Sequence, residues 1–162
     1  MSEVVYIETS VVSYLVARPP VNTIAHQWKI WTVDWWRLRR PRFECVISPE
    51  VLREAAAGDS HASQQRMEAL AEFAVLLPNP DVEGLVEAFM GPGLLPDKAK
   101  ADAVHLAVAT VYNVDYLITW NMKHLANAVL LARIKKVARK LGWQMPFVCT
   151  PIQLMGTIEY EG

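Results

Sequence analysis

Four side chains carry the chemistry this sequence offers: Glu8, Glu54, Asp102 and Asn121. Asp102 is the sharpest of them. It lies in Asp97-Lys98-Ala99-Lys100-Ala101-Asp102-Ala103-Val104-His105-Leu106-Ala107-Val108-Ala109. This run of alanines and straight-chain residues, free of Gly and Pro, predicts a helix over 97–109 with Asp97 at its N-cap. Residues at i+4 and i+7 from Asp102 are Leu106 and Ala109, so an acid lies on or beside the apolar stripe. A buried, unpaired carboxylate is costly, and a cation shared with other acids is one remedy. Glu8, Glu54 and Asn121 are the groups that would share it. Three carboxylates and a carboxamide form an all-oxygen donor set, and no His/Cys group stands at zinc spacing. Oxygen donors suit hard cations such as Mg²⁺ or Mn²⁺, which activate water and stabilise charge developing on a phosphodiester. Thr9, Ser10 and Thr119 place hydroxyls beside the set, and His105, one turn from Asp102, reads as a structural or orienting histidine.

These residues come from distant parts of the chain, so the elements must bring them together. The apolar, β-branched run at 4–7 predicts a strand buried on both faces, and Glu8 ends it. A short helix over 11–16 follows, capped by Thr9 or Ser10, and Arg18-Pro19-Pro20 breaks it. A long helix over 22–40 carries Ile24, Trp28, Trp31 and Trp35 at spacings of four, three and four. That stripe reads as core packing, with a partner or dimer surface as the alternative. A second strand over 43–47 leads into Ser48 as cap and Pro49 as first residue of a helix that carries Glu54 and stops at Gly58-Asp59. Further helices are expected over 60–73, with Met67, Leu70, Ala71 and Ala74 on one side, and over 82–89, with a short strand at 75–77 between them. A fourth strand over 115–119 precedes Trp120 and Asn121. A helix over 126–141 turns Val129, Leu130, Ile134, Val137 and Leu141 inward, and Arg133, Lys135, Lys136, Arg139 and Lys140 outward. A fifth strand at 147–149 and a turn over 151–155 follow.

Strands separated by helices throughout predict a three-layer α/β/α sandwich on a mostly parallel, five-stranded sheet. In such sheets ligands bind beyond the carboxyl ends of the strands, where the strand order reverses. Glu8, Glu54, Asp102 and Asn121 are all expected there. No repeat or linker divides residues 1–162, which read as one domain.

Composition sets bounds on function. The chain is 52% hydrophobic and 20% charged, a globular balance. Its formal net charge of −1 supplies no global attraction for nucleic acid or anionic membranes, so any such binding must be local. The apolar runs are shorter than a membrane span, and Met-Ser-Glu enters a strand-like run without a basic n-region. A cytoplasmic protein with two reduced, buried cysteines, Cys45 and Cys149, is the expectation. There is no P-loop, GxGxxG or GxSxG motif.

The ordered set Tyr6-Ile7-Glu8-Thr9-Ser10, Glu54, Ala101-Asp102-Ala103-Val104-His105-Leu106-Ala107 and Leu117-Ile118-Thr119-Trp120-Asn121 resembles the PIN domain, including the VapC-type toxins of bacterial toxin–antitoxin pairs. The resemblance implies an α/β/α fold, Mg²⁺ or Mn²⁺, cleavage of single-stranded RNA, frequent homodimers and, in toxins, inhibition by a small antitoxin protein. By position it maps Glu8, Glu54, Asp102 and Asn121 onto the family's four acidic positions. Two depart from the usual pattern: Glu8 is a methylene longer than the usual Asp, and Asn121 lacks the charge of the frequent Asp.

On this reading Glu8 and Asp102 hold the main cation, Glu54 and Asn121 complete its shell, and Thr9, Ser10, Thr119 and His105 support them. Arg39 and Arg40 at one helix end and Arg133 and Lys136 on another are candidate RNA contacts, with solvated surface as the alternative. Two rival readings are a PIN-like binding module that has lost full metal binding and no longer cuts, and a metal-dependent phosphatase on a similar sheet.

Overall fold

The computed structural model describes residues 2–156. Its sheet has five strands, β1 (Val4–Ile7), β2 (Glu44–Ile47), β3 (Ala74–Val75), β4 (Tyr116–Ile118) and β5 (Phe147–Cys149), in the order β3-β2-β1-β4-β5. Every pairing is parallel. The expected three-layer α/β/α sandwich is therefore the observed one. β1 lies at the centre, and Tyr6 faces Val46 on one side and Leu117 on the other. Its Val5, Tyr6 and Ile7 are fully buried, as a strand covered on both faces requires.

The helices are α1 (Thr9–Val16), α2 (Ile24–Leu38), α3 (Pro49–Ala55), α4 (Ser60–Leu70), α5 (Pro80–Phe89), α6 (Lys100–Val111) and α7 (Ala128–Lys140). From β1 the chain steps outward through β2 to β3, then returns past β1 to β4 and β5. Right-handed crossovers put the helices of the outward steps on one face and those of the return steps on the other. The reversal falls between β1 and β4, so a crevice opens beyond their carboxyl ends. Among the described residues no helix is long and apolar enough to cross a membrane.

Several local expectations are corrected. α1 is capped by Glu8 and not by Thr9 or Ser10, because the longer glutamate folds back to accept the N–H of Ser10. Asp97 does not cap α6; it opens a short 3₁₀ turn, Asp97–Ala99, and α6 starts without a side-chain cap. Ser48 stands at the cap position of α3, yet its hydroxyl bonds to Tyr6 instead of the helix. α2 begins at Ile24, capped by Thr23, and ends at Leu38, with a 3₁₀ turn over Arg40–Arg42. Val129 and Leu141, expected inward, are exposed, whereas Ile134 is fully buried. Met67 is exposed beside the buried Leu70.

The tryptophan stripe packs into the core. Trp35 is fully buried, and Trp28 stacks on Trp120 with centroids 4.9 Å apart and planes 6° from parallel. Trp31 lies over the same indole at 6.2 Å. Ile24, the first member of the stripe, is exposed. Burial pushes the Cys45 thiol up to about 11 and that of Cys149 up to about 12, so neither is an activated nucleophile.

Candidate metal centre

Glu8 leaves the carboxyl end of β1 and is 4% exposed. A carboxylate so buried must have its lone pairs filled. Its Oε1 accepts the hydroxyls of Ser10 (2.5 Å) and Thr119 (2.6 Å), and its Oε2 accepts the Ser10 N–H (3.1 Å). The N-terminus of α1 adds a favourable dipole. The position thus selects a side chain long enough to curl over its own helix and still reach β4.

Glu54 approaches from α3, half-buried. Its Oε1 accepts the Thr9 hydroxyl (2.8 Å) and meets Nε2 of His105 at 2.5 Å. His105 is fully buried on α6, and its Nδ1 lies 2.6 Å from the Tyr6 hydroxyl, which lies 2.6 Å from Oγ of Ser48. With a neutral ring, Ser48 donates to Tyr6, Tyr6 to Nδ1, and Nε2–H to Glu54; with a cationic ring the hydroxyls turn round. Ligand-capable atoms of Glu8, Glu54 and His105 all lie within 4.8 Å of one another. The donor set is therefore not purely oxygen at its core, although both nitrogens of His105 are already engaged.

Asp102 is held differently. Its Oδ1 accepts Nδ2–H of Asn121 (3.1 Å), and its Oδ2 pairs with Nδ1 of His124 (3.2 Å). The Oδ1 of Asn121 accepts the N–H of His124 (3.0 Å), and the Asn121 N–H donates to Thr119 (2.9 Å). Thr119 therefore joins the Asp102–Asn121 pair to Glu8. Glu8, Asp102 and Asn121 lie in one hydrogen-bond network, Glu54 lies in a second with His105 that approaches Glu8 within 4.8 Å, and Asn121 turns its nitrogen towards Asp102.

The electrostatics follow from this packing. Burial raises the pKa of Asp102, and the nearby charge of Glu8 raises it further, against the opposing pull of His105, His124 and Asn121. Burial also works against ionised Glu54, but the hydrogen bond and charge of His105, then Thr9 and Arg53, outweigh it and leave the pKa lowered. For His105 burial disfavours the cation, yet the bond to Glu54 and the charges of Glu8, Glu54 and Asp102 raise its pKa. Burial carries the Tyr6 hydroxyl well above its ordinary range.

These features fit a hard divalent cation. Glu8 and Asp102 repel one another in a partly dry crevice, and Oε2 of Glu54 has no hydrogen-bond partner among the described residues. A cation would relieve the first and use the second.

Arg39 and Arg40 are drawn into packing. The Arg39 guanidinium lies over Phe43, and that of Arg40 lies over Trp36 and donates to the Trp36 carbonyl. Arg133 and Lys136 are exposed on α7. His124, Tyr6 and Ser48 were not read from the sequence as site residues. His124 carries a local signal, because a histidine three residues after Asn121 lies within reach of whatever Asn121 holds; Tyr6 and Ser48 carry none.

The molecule thus belongs to the class of parallel α/β/α sandwiches with an acidic cluster at the switch point. Its fold is that of a chain of VapBC2 from Rickettsia felis, whose crystal structure is of VapBC2 bound to a DNA fragment from their promoter: the TM-score is 0.54 at 13% identity, over 91% of this chain and 98% of that one. No protein-family model matches the sequence, and no curated protein matches it.

Proposed function

We propose that this protein is a Mg²⁺- or Mn²⁺-dependent endoribonuclease of the PIN type, cutting single-stranded RNA as the toxin of a toxin–antitoxin pair. What supports this reading is the approach of ligand-capable atoms of Glu8, Glu54 and His105 to within 4.8 Å of one another, with Asp102 near enough for the charge of Glu8 to raise its pKa beyond the effect of burial. Glu8, Asp102 and Glu54 would hold the cation, which supplies water activation and charge neutralisation at phosphorus. Ser10 and Thr119 fix both oxygens of Glu8, and Thr9 with His105 fixes Oε1 of Glu54, so that Oε2 points away from these anchors. Asn121 and His124 orient Asp102. The likeness in fold to a VapBC2 chain supports a small antitoxin protein as partner, and a homodimer is part of the same reading. The test is cleavage of single-stranded RNA by pure protein in Mn²⁺. Wild type is expected to cut, and Glu8→Gln and Asp102→Asn are expected to lose at least ~100-fold in rate, since each removes a charge from the cation's shell. Equal cutting by all three would sink the assignment.

One observation favours the second reading, a PIN-like module that binds without cutting. The carboxamide of Asn121 is engaged on both sides, its oxygen by His124 and its nitrogen by Asp102, so it offers a cation one lone pair and no charge. That reading predicts no heat of Mn²⁺ binding by titration calorimetry.

A further inference from the structure

Helix α7 carries five cations, Arg133, Lys135, Lys136, Arg139 and Lys140, and no acid, in a chain with a net charge of −1. None is in an ion pair among the described residues. Helical spacing divides them. Arg133, Lys136 and Lys140 share one exposed side, whereas Lys135 and Arg139, one turn apart, line a groove of about 610 Å³ between α7 and the edge strand β5. The opposite wall includes Trp143, half-buried, and Phe147. Phe147 is 75% exposed, more than any other large apolar side chain among the described residues. No carboxylate lines this groove.

We propose that the groove binds single-stranded nucleic acid, with phosphates on Lys135 and Arg139 and bases stacked on Phe147 and Trp143. Single strands are held by this combination, a cationic track beside aromatic faces, because every base has a π-face and every linkage a charge. An acidic protein segment would satisfy the cations but leave an exposed aromatic ring without a flat partner. The groove lies towards the far end of α7 from the crevice, because its Gly142–Phe147 wall leads into the start of β5 at the amino edge of the sheet. The Ala126 N–H donates to the Asn121 carbonyl (2.8 Å), so α7 starts beside the site and runs away from it for roughly 20 Å at the usual helical rise. A strand lying along α7 is thus held at a distance from the acids. The identity of the strand as substrate RNA rests on the nuclease reading; the binding itself does not.

The experiment is fluorescence anisotropy of a labelled, unstructured RNA of about 12 nucleotides, within the usual range of such sites, in EDTA across a salt series. Lys135→Ala/Arg139→Ala is expected to weaken binding at least ~10-fold and to lower the slope of log K on log salt by about 1.4, at about 0.7 per lost phosphate contact. Phe147→Ala is expected to weaken binding at least ~5-fold with the slope unchanged. Arg18→Ala/Lys98→Ala, exposed cations on other parts of the chain, is the control and is expected to change affinity less than ~2-fold. These side chains are exposed, and thermal melting verifies that each variant is folded. Wild-type affinity and slope in the groove variants would overturn the proposal and leave the groove to an acidic protein segment. A loss matched by the control pair would also overturn it, as diffuse charge attraction. Cleavage in Mn²⁺, assayed separately, keeps the two readings apart. Cutting with unchanged groove affinity refutes the groove alone; groove-dependent binding without cutting refutes the nuclease alone.

Discussion

The carboxamide of Asn121 meets Asp102 through nitrogen at 3.1 Å, where a carboxylate would meet it with a second negative charge. Asn121→Asp removes that donor and adds repulsion to an acid whose pKa burial and Glu8 already raise. The metal-free variant is expected to lose about 1–3 kcal/mol of stability, as buried groups do when a partner is lost. Its melting temperature is expected to rise more than that of wild type when Mn²⁺ is added, because the extra charge strengthens cation binding. Melting curves with and without Mn²⁺ check both signs. At this scale the sequence indicates which polar residues gather at the carboxyl edge better than how each one is bonded there. Asp102 was legible as an acid on an apolar helix, and Glu8 as an acid ending a buried strand. The clamp of His124 and Asn121 on Asp102 was not, since an Asn after a strand is ordinary turn chemistry and its orientation depends on which helix packs above it.

Between elements, the Glu54–His105 pair ties α3 to α6, and Tyr6 and Ser48 extend the tie to β1 and the end of β2. The pair makes stability depend on pH. The pKa of Glu54 is lowered from an ordinary 4.5, so its contribution is present above that value and lost as pH falls through the depressed folded one. That of His105 is raised from an ordinary 6.5, so its contribution is complete below that value and lost as pH rises through the raised folded one. The charge attraction is therefore whole between the two ordinary values. His105→Gln is expected to lower the melting temperature most in that window, with the difference from wild type narrowing on either side. A difference that does not vary with pH would contradict the ion pair. Such links join residues 42 to 99 positions apart, and periodicity along one segment carries no trace of them. Element type was more accessible, because continuous apolar runs and aromatic spacing survive in the sequence. The caps were not: whether Glu8, Thr9 or Ser10 closes α1 turns on the reach of one side chain towards β4.

For the whole molecule, strand–helix alternation was enough to predict a parallel α/β/α sandwich, and strand order then fixes where a site can form. The order β3-β2-β1-β4-β5 sets its reversal beside Glu8 and Thr119, which brings together acids far apart in the chain. Charge is also arranged on this scale. A net charge of −1 conceals a helix with five cations at one side of the sheet and an acidic crevice at its carboxyl edge.

On the proposed reading these carboxylates support hydrolysis of RNA by water and not by the RNA's own 2′-hydroxyl. The chain ends produced from single-stranded RNA by pure protein in Mn²⁺ test it most directly, read by mass spectrometry. Wild type is expected to leave a 5′-phosphate and a 3′-hydroxyl, and Glu8→Gln to leave the RNA intact. A 2′,3′-cyclic phosphate, or RNA left whole by the wild-type protein, would contradict it.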